Sequence, residues 1–114
     1  QKNRIELANY IYESKHYELN MRDTDTKTLL NFLSRMGMYI SSSDRQNVVS
    51  FLTGYEIGSQ NECNFTGILS MHLEEKYHIK KYATGWPDQI ERYAEKLKVD
   101  WMQSFHLIAS ETLN

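Results

Sequence analysis

His72, Glu75 and His78 stand three residues apart. On a helix, neighbours at that spacing share a face, so the three could line up as metal ligands. Glu75-Lys76-Tyr77-His78 also has the Glu-x-x-His form used by di-iron carboxylate bundles. Those bundles need a second such pair and further inward-facing carboxylates. The sequence has no His-Glu-x-x-His and no paired cysteines. The plainer interpretation is a solvated helix face that ends in a histidine near the helix C-terminus. Neither a metal nor a cofactor is therefore expected.

Nucleophilic chemistry has one thiol to work with, Cys63, just before a helix start near Asn64-Phe65. A helix N-terminus lowers a thiol's pKa, but the adjacent Glu62 opposes the thiolate. A small buried hydrophobe is the expected role. Gly-x-Ser-x-Gly and Ser-x-x-Lys are both missing. Gly54-Tyr55-Glu56-Ile57-Gly58 lacks the third glycine and the Lys-Ser/Thr pair of a phosphate loop. No catalytic set emerges, and the chain is not expected to be an enzyme.

Lys76, Lys80 and Lys81 near Tyr77 and Tyr82 form the densest basic and aromatic stretch. Such interleaving can hold single strands by charge and stacking. Here the lysines are few, and Glu74 and Glu75 adjoin them. The chain's net charge is −2 and its pI about 6.1, which gives no nucleic-acid footprint. Arg35 and Arg45 bracket a turn rather than crowd a recognition helix. Asn64-Phe65-Thr66 matches the glycosylation acceptor pattern by coincidence, because no secretory leader pattern is visible.

The aromatic residues carry the strongest signal: eight tyrosines, two tryptophans and four phenylalanines. Tyr10, Tyr17, Tyr55 and Tyr82 do not fit cleanly on one buried stripe. Partly exposed tyrosines are amphipathic anchors in protein interfaces. Glu13 and Glu18 flank Tyr17, and Glu56 and Glu62 lie beside or near Tyr55. Glu13, Tyr17, Glu18, Tyr55, Glu56 and Glu62 are therefore the candidate partner-binding residues. An acidic, tyrosine-bearing surface suits a basic protein, because complementary charge speeds encounter.

These residues need elements to position them. The 114 residues are 40% hydrophobic and 25% charged, with one proline. That suffices for one domain over residues 1–114 with its own core. Apolar residues recur at three- and four-residue steps, which predicts an all-α bundle of about five to six helices. The first covers about 4–17, through Ile5, Ala8, Ile11 and Tyr12. The second runs from Thr26 to Ile40 behind Thr24 or Asp25 as cap, burying Leu29, Leu30, Phe32, Leu33, Met36 and Tyr39. The third follows Ser43, buries Val48, Phe51, Leu52 and Tyr55, and ends at Gly58. The fourth opens near Asn61, with Phe65, Ile68, Leu69, Leu73 and Tyr77 on one side. Gly85-Trp86-Pro87 starts the fifth, with Trp86, Ile90, Tyr93, Ala94 and Leu97 inward. Asp100 caps the last, with Trp101, Phe105, Ile108 and Ala109 inward. Gly37, Gly54 and Gly67 lie inside helical stretches, where close approach of another helix is the usual reason for glycine.

No run is long and apolar enough to span a membrane. One unpaired cysteine points to a reducing compartment, hence a cytoplasmic location. A small, enzymatically inert helical domain with acidic and tyrosine-rich surfaces has the profile of bacterial immunity proteins and antitoxins. The leading expectation is an inhibitor that neutralises a partner toxin, such as a basic nuclease, by direct binding. The alternatives are a helical DNA-binding or transcriptional regulatory domain, and a metal-binding bundle using His72, Glu75 and His78.

Overall fold

Trp101, Phe105, Ile108 and Ala109 form a continuous buried stripe on the last helix, and the rest of the fold is arranged around it. The structure, a computed structural model, describes residues 21–114. In chain order it contains α1 (Asp23–Ser34), a 3-10 turn (Met36–Met38), α2 (Arg45–Gly58), α3 (Phe65–Tyr77), α4 (Trp86–Leu97) and α5 (Trp101–Leu113). The described residues hold helices and no strand, as the periodicity implies. The helical stretch expected over about 4–17 lies outside the described residues, as do Tyr10, Glu13, Tyr17 and Glu18.

Helix α5 packs against α1, α3 and α4, and α3 also packs against α4. The core joins Leu29 and Phe32 of α1 to Val48 and Leu52 of α2. Phe65, Leu69 and Leu73 of α3, Ile90 and Tyr93 of α4, and the α5 stripe complete it. Helix α2 leans on α1 through rings: Phe51 stacks on Phe32 at 4.2 Å, and Tyr39 meets both edge-on.

The amino-terminal helix ends differ from expectation. Helix α1 stops at Ser34 rather than Ile40, because Arg35 leaves the helical region (φ −137°, ψ 51°). Met36 and Tyr39 still reach the core through the 3-10 turn. Neither Thr24 nor Asp25 caps α1, whose N-cap is Arg22, since Asp25 is turned inward. Asp44, not Ser43, caps α2 by accepting the Asn47 N–H at 2.9 Å. Gly58 stays helical, and Gln60 and Asn61 take the left-handed conformation instead. Helix α3 therefore starts later, behind Asn64.

The carboxy-terminal ends follow the sequence closely. Gly85 precedes Trp86-Pro87 at φ +78°, a conformation glycine adopts without steric cost. Asp100 accepts the Gln103 N–H at 2.7 Å while Gln103 accepts the Asp100 N–H at 3.1 Å, a complete capping box. Leu97 is the exception, lying at the exposed end of α4 instead of in the core. The expected close helix contacts are not seen: Gly37 and Gly54 face open space, and a Cβ on Gly67 would first meet the Asn64 side chain.

Candidate functional site

The sequence-derived residues that fall within the described chain sit where α1, α2 and the start of α3 meet. Asp25 is a carboxylate only 2% exposed, so its charge must be matched inside the fold. Arg22 grips it with Nε at 2.6 Å and Nη2 at 3.0 Å, and the Tyr55 hydroxyl donates to it at 2.6 Å. The Arg22 guanidinium, with help from Tyr55, holds the Asp25 carboxyl below the usual carboxylate range. Burial pushes the Tyr55 hydroxyl up, and its bond to Asp25 adds to the shift. Arg22 also pairs with Glu62, which ties the α2–α3 connection to α1.

Glu56 is engaged as well. Its carboxylate accepts the Thr66 N–H at 2.8 Å and the Thr66 hydroxyl at 2.7 Å. Asn64 makes no side-chain cap, so a glutamate from the preceding helix supplies the anion at the α3 N-terminus. Cys63 is buried beneath this junction, and that burial pushes its thiol up. A thiol so placed stays protonated at neutral pH and behaves as a core residue. The structure thus brings Tyr55, Glu56 and Glu62 to one junction, and each is bonded within the fold.

His72, Glu75 and His78 do not converge. Tyr77 is the last residue of α3, and His78 follows it in a left-handed C-cap. His72 instead lies 3.0 Å from Glu111 of α5. Among the described residues, no group of three His, Cys, Asp or Glu side chains is placed to hold a metal ion. Glu111 collects Lys76 at 2.8 Å and the Tyr77 hydroxyl at 2.7 Å, besides His72. These donors, Lys76 foremost, hold its carboxyl down to about 2. Burial, reinforced by Glu111, pushes Tyr77 up to about 12. The cluster is a clamp between α3 and α5.

A buried amide serves the α3–α4 contact in the same way. Gln89 donates to the Ile79 carbonyl at 2.8 Å and to the Ser70 carbonyl at 3.3 Å, and accepts from the Ser70 hydroxyl. No buried side-chain polar atom among the described residues lacks a partner.

An open apolar feature lies elsewhere. Val99, Asp100, Met102, Gln103, His106 and Leu107 line an apolar surface groove of about 540 Å³ along the start of α5. Leu107 is 48% exposed within it, and burial pushes the His106 imidazole below its ordinary value. The histidine is therefore held toward its neutral form. Sequence reasoning did not single out these residues. Their available signal was Leu107, an apolar residue outside the inward stripe of α5.

No protein-family model matches this chain, and no curated protein or solved structure matches it significantly. No helix among the described residues is long and apolar enough to cross a membrane.

Proposed function

We propose that the chain is a protein-binding domain of the bacterial immunity or antitoxin type, which neutralises a partner toxin by direct contact. The apolar groove along the start of α5 is the observation that supports this most. It exposes Leu107 beside Val99 and Met102, a small apolar surface that a partner's side chain would cover. The capping box of Asp100 and Gln103 fixes its rim, so little ordering cost falls on binding. This groove is separate from Tyr55, Glu56 and Glu62, of which Glu56 and Glu62 are engaged internally. A free, buried Cys63 fits a reducing, cytoplasmic location.

The test compares the tagged chain with a Leu107→Asp variant in affinity capture from native lysate, with and without added nuclease. The expected result is one stoichiometric protein that survives nuclease, is lost with Leu107→Asp, and is inhibited by the purified chain. Leu107 is substantially exposed, so the variant should keep the wild-type circular dichroism. Capture insensitive to Leu107→Asp removes the groove from the interface. Capture abolished by nuclease favours the DNA-binding alternative.

A further inference from the structure

The segment between α3 and α4 is held as a rigid strap. Ile79 is buried, and its carbonyl accepts from the Gln89 amide at 2.8 Å. Arg92 of α4 donates to the Lys80 carbonyl and places its guanidinium 4.3 Å from the centre of the Tyr82 ring. The Gly85 N–H closes the strap on the Tyr82 carbonyl at 2.9 Å. Tyr82 remains 58% exposed, backed by Arg92 on one side. Lys80 and Lys81 are exposed and form no ion pair with any described residue. Lys96, one helical turn beyond Arg92, is exposed and likewise unpaired among them.

Of the acidic candidates read from sequence, Glu56 and Glu62 are bonded within the fold, and Glu13 and Glu18 lie outside the described residues. Asp25, Glu56, Glu62, Asp88, Glu91 and Glu111 all bond to other side chains, whereas the strap lysines are unspent. We propose that the Lys80-Lys81-Tyr82 strap, stiffened by Arg92, is a contact surface for an acidic segment of a protein partner. The proposal rests on the protein-binding function above and assigns the partner a local charge. A preformed tyrosine flanked by cations can anchor a carboxylate-bearing peptide at small ordering cost. A nucleic-acid strand fits less well. The strap offers two lysines and one tyrosine, too few cations to track a phosphate backbone over several nucleotides.

The test is a titration of the isotope-labelled full chain with an oligoglutamate peptide, followed by NMR at low ionic strength. The amides of Lys80 to Tyr82 and the Arg92 side chain should shift, and the shifts should shrink with added salt. A Lys80→Glu, Lys81→Glu double variant should abolish them. Tyr82→Ala should weaken binding roughly 5- to 30-fold, the range of an interface anchor. Leu107→Asp should leave the titration unchanged, so this surface and the groove fail separately. An unchanged spectrum at the strap overturns the proposal. Equal or stronger shifts with an oligothymidylate would overturn it too, by making the ligand a nucleic acid.

Discussion

Asp25 and Tyr55 show how one buried charge redirects the meaning of its neighbours. Tyr55 beside Glu56 has the sequence pattern of an interface anchor, yet its hydroxyl completes the shell of Asp25. Tyr55→Phe should therefore destabilise the fold by about 2 kcal/mol, the usual worth of a hydrogen bond to a charged acceptor. Urea unfolding should show a lower midpoint with an unchanged slope. Gly54 makes the opposite case. It is exposed within α2, and a Cβ added there would meet open space, so Gly54→Ala should stabilise by about 1 kcal/mol. A thermal melt checks it, and a loss of stability would mean the position has a neighbour. Sequence could not separate these outcomes, because inward and outward tyrosines share the same local pattern. Tyr55 and Asp25 lie 30 residues apart in the chain, beyond the reach of any short motif.

At the level of elements, α4 and α5 were legible almost to the residue, and α1 and α2 were not. Gly85-Trp86-Pro87 and Asp100 are local signals that act through the backbone beside them. Asp100→Ala should accordingly cost about 1 kcal/mol. The start of α3 is fixed from a distance, by Glu56 reaching Thr66. Glu56→Ala should cost about 1 to 2 kcal/mol through the same loss of an N-terminal acceptor. Thr66→Ala keeps the backbone bond and should cost less, and comparing the two by chemical denaturation separates the contributions. The early end of α1 likewise depends on Tyr39 packing against Phe32 and Phe51, a tertiary contact that periodicity alone did not resolve.

Across the whole molecule, the Glu111 clamp joins α3 to α5 and gives the fold its clearest pH dependence. Its carboxyl is held at about 2, against an ordinary value of 4.5. A carboxyl depressed in the folded state contributes its full stability above the ordinary value and loses it as pH falls toward the folded one. Stability should therefore fall between about pH 4.5 and 2, and Glu111→Gln should flatten that limb. Asp25, depressed by Arg22, adds to the same acid limb. Tyr77, raised from 10 to about 12, contributes below pH 10, and that contribution is lost as pH rises toward 12. The all-α class was legible because buried residues recur at three- and four-residue steps, as Phe65, Leu69 and Leu73 do in α3. The groove was not, since Val99 lies just before α5 and Met102 and Leu107 on the outward side of its first turns, and periodicity does not tell an open apolar position from a covered one.

That groove carries the central claim, and hydrogen–deuterium exchange of the chain alone and in complex with its captured partner tests it most directly. Added protection across residues 99–107, with the Glu56–Thr66 junction unchanged, is the expected result. Protection confined to other helices, with residues 99–107 exchanging as in the free chain, would contradict it.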